Sequence, residues 1–251
     1  MNLEKLKALV LVGGLGTRLR EVVDEVPKPM APVNEKPFLY YKIFQMKNAG
    51  IKNFVFLVGY KHEIIQNYFS DGKDFGISIE YSIEKELLGT AGAIKNAEEF
   101  IDKNTPFFVC NGDTFLFIDF LSMLNQYLSK NALYMMLLTS TYSFQQVGYV
   151  NINENLEIIN FIEKPDENTL KSLKTTLINA GVYLLSPKIL DLIPPKQKCS
   201  IERDIFPKLV GINKKFYGFI YPKENYFIDI GIPRNYNKFI EDIKLKKIKL
   251  T

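Results

Sequence analysis

The chain is almost without histidine: one among 251 residues, together with only two cysteines. His62 lies in "YKHEIIQNYF", whose spacing is that of an ordinary amphipathic helix. With that residue assigned to packing, Ser–His and Cys–His nucleophilic catalysis lose their base. Cys110 and Cys199 are far apart and follow no paired spacing, which excludes a cysteine metal motif and a disulfide framework. Long apolar runs are missing too, and none approaches the ~20 residues needed to cross a bilayer. The N-terminal "MNLEKLKALVLVGG" runs into a glycine turn instead of a small-residue cleavage site, so it reads as a strand and not as a signal peptide. A cytoplasmic protein without a membrane partner is expected. A large excess of one charge sign is missing as well, with 32 Lys and Arg against 28 Asp and Glu. The net charge is only +4, much of it in the tail "KLKKIKL", which reads as a solvated helix end and not as a nucleic-acid surface.

What is present suits a sizeable globular protein. At this length roughly 75% of the unfolded surface can be buried without staples, and 47% of the residues are hydrophobic. Short apolar runs at 6–12, 53–59, 77–83, 106–113 and 132–140 read as strands. Helical spacing fills 38–49, 61–70, 91–101 and 119–130. This alternation predicts an α/β fold, Rossmann-like, with a mixed, mostly parallel sheet flanked by helices. Beyond residue 140 the pattern changes. "VGYVNINENLEIINFIEKP" reads as a hairpin turning near "NEN", "LINAGVYLLS" as a further strand, and 216–231 as a second antiparallel pair. No internal repeat, low-complexity segment or long linker interrupts the chain.

The stretch "VGGLGTRLREVVDEVPKPMAP" (12–32) follows the first strand. Such a turn exposes backbone N–H groups, often at a helix N-terminus, and suits a phosphate. It is not a Walker turn, since no Gly-Lys-Ser/Thr follows. As a dinucleotide fingerprint it lacks the third glycine. Arg18 follows the turn directly, and Lys28 is held between prolines that stiffen the backbone. Fixed cations beside a glycine cradle favour a triphosphate.

These residues resemble the sugar-1-phosphate nucleotidylyltransferases, whose signature reads G-G-x-G-T-R-L followed by P-K-P, as in Gly13–Leu19 and Pro27–Pro29. "LLGTAGAI" (87–94), "NGDTF" (111–115), "EKP" (163–165), "INAGVYLLS" (178–186) and "YFIDIGIP" (226–233) occur in the family's order, so the resemblance spans the chain. "PKPMAPVNEKPFL" and "YFIDIGIP" resemble its bacterial branch of heptose 1-phosphate guanylyltransferases. The resemblance implies one nucleotidyltransferase domain, with a nucleotide lobe over about 1–140, a sugar lobe over about 141–232 and a C-terminal helix over about 233–248. No fused acetyltransferase-like or regulatory domain is expected. The implied reaction is attack of a sugar 1-phosphate oxygen on the α-phosphorus of a nucleoside triphosphate, with pyrophosphate leaving in line. The nucleophile is already anionic, so no base is needed. A divalent metal and fixed cations are needed, as in phosphoryl transfer generally.

Asp113 ends an apolar strand at the edge where open α/β sheets bind ligands. Asp229 is a carboxylate inside an apolar run, costly unless paired or ligated. The resemblance places both on magnesium, which takes one or two carboxylates and completes its shell with phosphate and water. It makes Arg18, Lys28, Asp113, Lys164 and Asp229 the catalytic set. Val12, Gly13, Gly14, Gly16, Thr17, Arg18, Glu84, Gly89, Thr90, Asn111 and Gly112 become nucleotide contacts. Glu163, Lys164, Asn179 and Gly181 become sugar-phosphate contacts. A carboxylate at Glu84 could accept both N1–H and N2–H of guanine, a pair of donors that other bases lack, so GTP is favoured. Mannose 1-phosphate with GTP, and glucose 1-phosphate with dTTP or UTP, stay open as substrates, as does a non-catalytic paralogue that binds nucleotide sugars. The 19 Phe and 14 Tyr leave room for a homodimer interface. A capsule or other cell-surface glycan is the implied destination of the product.

Overall fold

Strand and helix alternate along the chain, and their contacts gather into two compact units. The computed structural model describes every residue except 17, 18, 20–22, 24, 141–146, 174, 175, 213, 214, 223–225 and 249–251.

The first unit holds residues 1–87, 110–117 and 226–251. Its sheet is parallel. β1 (Lys7–Leu11) pairs with β4 (Asn53–Val58), and β4 pairs with β5 (Ser78–Ile83). The interior of β1 and most of β4 are buried, as expected of strands covered on both faces. α1 (Phe38–Asn48) and α2 (His62–Phe69) provide the crossovers. His62 bonds within its own helix, Nδ1 lying 2.9 Å from Gln66 Oε1. Two short ribbons complete the unit. β2 (Pro32–Val33) pairs with β3 (Lys36–Pro37), and β7 (Thr114–Leu116) pairs antiparallel with β13 (Phe227–Asp229). A core of Phe38, Tyr41, Phe115, Ile228 and Phe239 locks α1 and α7 (Pro233–Lys244) onto the β7/β13 ribbon. Phe239 meets Phe38 at 4.8 Å and Phe115 at 5.3 Å between ring centroids.

The second unit holds residues 88–109 and 118–225. β8 (Tyr134–Ser140) and β11 (Leu177–Leu185) run antiparallel, as do β9 (Gly148–Ile152) and β10 (Ile158–Glu163). β11 also pairs antiparallel with β9. The β9/β10 hairpin turns at 153–157, as the "NEN" signal predicts. α3 (Gly89–Asn96), α4 (Phe120–Ser129), α5 (Glu167–Ser172) and α6 (Phe206–Gly211) accompany these strands. β6 (Phe107–Asn111) begins in this unit and ends in the first.

One expectation fails. The run 216–231 is not an antiparallel pair. β12 (Phe216–Ile220) lies parallel to β8, whereas β13 joins β7. Alternating apolar residues state that each segment is a strand with one buried face, but they do not name its partner. At Gly218 in β12 a Cβ would meet the end of the Leu138 side chain of β8.

Candidate functional site

The first unit gathers its candidate residues at the carboxyl ends of β1 and β6. Val12 N–H continues the sheet ladder to Leu57 O at 3.0 Å, and Gly112 N–H donates to Leu11 O at 3.0 Å. A Cβ on Gly112 would lie 2.5 Å from Val12 Cγ1 and 2.7 Å from Leu11 O. Only glycine therefore lets the Asn111–Asp113 turn close against β1. Beyond these ends lies a cavity of about 180 Å³ lined by Leu11, Val12, Gly14, Gly16, Lys28, Pro29 and Asp113.

Lys28 is fixed by the backbone around it. Lys28–Met30 form one tight helical turn, with Met30 N–H donating to Pro27 O and Ala31 N–H to Lys28 O. Gly16 (φ 61°) lets the cradle pass this turn, since a Cβ there would sit 2.9 Å from Lys28 Cβ. The Lys28 ammonium donates to Asp113 Oδ2 at 2.5 Å, and its side chain is only 11% exposed. Burial would push the Asp113 carboxyl up, but the charge and hydrogen bond of Lys28 outweigh it and hold the group below the usual carboxylate range.

Asp229 arrives by strand pairing. In the β7/β13 ribbon it stands opposite Thr114, and Ile230 N–H donates to Asp113 O at 3.0 Å. Asp229 Oδ1 accepts the Gly231 N–H at 2.6 Å. The point where a Gly231 Cβ would stand is 2.7 Å from Asp229 Oδ1 and 3.3 Å from Lys28 Nζ. Lys28, Asp113 and Asp229 therefore converge. Two convergent carboxylates are an all-oxygen donor set of the size magnesium uses. Among the described residues, no group of three or more His, Cys, Asp or Glu side chains is placed to hold a metal.

Glu84 is also brought to the cradle. Its N–H donates to Val58 O at 2.9 Å, and its carboxylate packs where a side chain on Gly13 would collide with it. Gly59 leaves room for the same carboxylate, with a Cβ there falling 3.3 Å from Glu84 Oε1. Thr17 and Arg18 lie outside the described residues.

The second unit carries the remaining expected positions. Gly89 has φ 73°, and a Cβ there would sit 2.7 Å from Cys199 O. The same carbonyl accepts N–H bonds from Ala91 at 2.9 Å and Gly92 at 3.1 Å, capping the start of α3. The Thr90 hydroxyl donates to Glu202 Oε2 at 2.7 Å and accepts the Ile201 N–H at 2.8 Å. Thr90 is thus tied to the 200–202 segment.

Glu163 ends β10 opposite Gly148, whose missing side chain makes room for its carboxylate. Burial and the neighbouring Glu202 push the Glu163 carboxyl up, against the pull of Lys164 and Arg203. Lys164 has φ 48° although proline follows it. Residues before proline favour extended backbone, so this is a strained position of the sort that clusters at functional sites. Asn179 and Gly181 (φ 71°) form an irregularity in the β11/β8 register. There Asn179 Oδ1 accepts the Gly181 N–H at 2.9 Å, and its amide donates to the Tyr183 hydroxyl at 2.8 Å.

Two residues that matter locally lie outside the quoted motifs, Lys42 and Glu202, and Gly231 lies inside "YFIDIGIP" without being singled out there. Lys42 did leave a signal, because it occupies the middle of the stripe Phe38–Lys42–Met46, spaced by four on a helix.

A family model described as nucleotidyl transferase matches residues 7–245, and the chain belongs to that family of enzymes. A D-glycero-alpha-D-manno-heptose 1-phosphate guanylyltransferase from Aneurinibacillus thermoaerophilus is 40% identical over 240 residues, covering 95% of this chain and 99% of the relative. The Campylobacter jejuni protein of the same name is 41% identical over 235 residues, covering 94% and 99%. Among solved structures, HddC from Yersinia pseudotuberculosis superposes with a TM-score of 0.80 at 32% identity, covering 95% of this chain and 99% of its own. A second crystal structure of that protein is complexed with GMP-PN, with a TM-score of 0.79. The expected α/β architecture, a mixed sheet with a mostly parallel core flanked by helices, is the fold of these neighbours.

Proposed function

We propose that the protein joins GTP and D-glycero-α-D-manno-heptose 1-phosphate to give GDP-heptose and pyrophosphate. The observation that carries the chemistry is the convergence of Lys28, Asp113 and Asp229 beside a glycine cradle. The heptose and the guanine base rest on two relatives of that name at 40% and 41% identity and on the HddC complex with GMP-PN. Glu84, an acceptor-only carboxylate packed against Gly13, suits recognition of guanine N1–H and N2–H.

A phosphate oxygen of the sugar phosphate forms a new bond to the α-phosphorus as the bond from that phosphorus to the bridging oxygen breaks. The electron pair leaves with pyrophosphate. Backbone N–H groups of the cradle hold the triphosphate, and Lys28 neutralises its charge. Lys164, Glu163 and Asn179 are assigned to the sugar phosphate, with Lys164 countering its anion. Asp113 and Asp229 would hold magnesium, which supplies charge neutralisation and orientation of the phosphates. No side chain needs to abstract a proton, in keeping with a site where electrostatics and positioning supply the rate. The cytoplasm, as the source of nucleoside triphosphates, is the proposed location, and a cell-surface glycan is the proposed destination of the heptose.

Pyrophosphate release with magnesium, crossing five nucleoside triphosphates against heptose, mannose and glucose 1-phosphates, tests the reading. A signal confined to GTP and the heptose phosphate is expected. Equal turnover of mannose 1-phosphate would remove the heptose assignment, because a pocket shaped for the extra carbon should gain ~1–3 kcal/mol from it. Silence throughout would leave a binding protein.

A further inference from the structure

Lys42 is a lysine in the wrong place for packing. It lies on α1 in line with Phe38 and Met46, all three buried, and is only 3% exposed. Desolvating an ammonium costs several kcal/mol unless a partner offsets it. The partner is a neutral one, as Lys42 Nζ donates to Thr114 O at 2.9 Å. Burial lowers the Lys42 pKa, and the Cys110 thiol and the Asp113 carboxylate act to raise it.

The position of that carbonyl matters. Thr114 directly follows Asp113, opens β7, and stands opposite Asp229 in the β7/β13 ribbon. The backbone that carries one carboxylate and registers the other is held on two sides. Ile230 N–H donates to Asp113 O, and Lys42 donates to Thr114 O. Lys28 binds the Asp113 carboxylate on the cavity side. If Lys28 transfers to a triphosphate, Asp113 loses that hydrogen bond, while the Lys42 hydrogen bond to Thr114 O still holds the backbone that carries it.

We infer that Lys42 is a positioning residue for this site: a buried donor that pins the Asp113–Thr114 backbone and keeps the Asp113 carboxylate in place when Lys28 engages substrate. This rests on the reading that Asp113 serves catalysis.

Lys42→Met separates positioning from packing, since methionine fills a similar channel without charge or donor. The expected result is a kcat reduced at least tenfold, with the affinity for a non-hydrolysable GTP analogue, measured by calorimetry, within threefold of wild type. The melting temperature should be unchanged or higher, because a desolvated polar group has been removed. Lys42→Arg should recover kcat to within threefold. A wild-type kcat in Lys42→Met overturns the inference, as does a loss of kcat that merely tracks a lowered melting temperature. If Lys42→Met does not fold, Lys42→Gln takes its place, with at least a threefold loss of kcat expected and a wild-type value overturning the inference. Asp113→Asn is measured alongside. Wild-type turnover in Asp113→Asn removes the reading of the site itself, whereas an inactive Asp113→Asn beside a fully active Lys42→Met removes only the role of Lys42.

Discussion

Lys28 and Asp113 form a charge-assisted hydrogen bond of 2.5 Å at the wall of the glycine-lined cavity, with the lysine side chain 11% and the aspartate side chain 28% exposed. This pair holds the Asp113 carboxyl below the usual carboxylate range, and so ionised, before substrate arrives. Lys28→Ala removes a fixed cation from the transition state. It should lower kcat by about a hundredfold, the ~3 kcal/mol typical of losing one such donor. Asp113→Asn should abolish most turnover, because the carboxylate proposed for magnesium and the partner of Lys28 disappear together. Steady-state pyrophosphate release at saturating substrates measures both, and a wild-type rate in either variant contradicts the role assigned to it.

Glu84 offers a test of base choice that leaves the cradle's shape intact. Glutamine has nearly the same volume, so the packing against Gly13 and Gly59 should survive. Glutamine donates where glutamate only accepts, so it cannot take both guanine N–H groups. Glu84→Gln should reduce the preference for GTP over other triphosphates by about tenfold or more, given that sites built on such donors reject analogues by ~10⁴–10⁵. Ratios of kcat/KM across the nucleotides measure this, and an unchanged ratio would transfer the duty to another residue.

Two glycines of the cradle should respond differently to the same substitution. Gly16 has φ 61° and faces Lys28 Cβ at 2.9 Å, whereas Gly14 has nothing within 4 Å of its would-be Cβ. Gly16→Ala carries a left-handed backbone penalty of about 1–2 kcal/mol and pushes on the turn that holds Lys28. A fall in melting temperature of about 2–8 °C follows for a chain of this size, with a raised KM for the nucleotide. Gly14→Ala should stay within about 0.5 kcal/mol of wild type in stability. Equal behaviour of the two variants in thermal unfolding would refute the geometry drawn for the cradle.

Much of the first unit's site is legible in the residues because its chemistry is local. The glycine turn, the proline-braced Lys28, and Asp113 at the end of an apolar strand each announce themselves within a few positions. Asp229 is legible as a costly carboxylate in an apolar run, but its route to Asp113 is not. That route is the pairing of β7 with β13, and alternation does not say which strand a segment will join. The same indifference produced the mistaken pairing of 216–220 with 227–229. Thr90 shows the opposite case, a residue whose motif suggests a ligand contact and whose hydroxyl is engaged by Glu202 and Ile201. Lys42 was hidden because a lysine on a helix is solvated far more often than buried, and only its place between Phe38 and Met46 marks it.

Glu163 should leave a signature in stability as well as in catalysis. Its side chain is 15% exposed, and burial together with Glu202 raises its pKa above the ordinary glutamate value, against Lys164 and Arg203. A carboxyl whose folded pKa is raised binds its proton more tightly in the folded state. The stabilisation from that proton is fully present below the unfolded pKa, near 4.3, and is lost as pH rises through the folded pKa. At neutral pH the folded protein therefore holds a carboxylate at a cost. Glu163→Gln fixes the neutral form. The variant should match wild type in unfolding free energy at about pH 4 and exceed it at pH 7, the gap opening across the interval just above the ordinary glutamate range. Urea unfolding at a series of pH values measures the gap. A variant less stable than wild type at pH 7 would mean that the attraction of Lys164, 3.8 Å away, and of Arg203 outweighs burial and the repulsion of Glu202. Activity should move the other way, since Glu163→Gln weakens the proposed hold on a sugar hydroxyl and should raise KM for the sugar phosphate while the folded state gains stability.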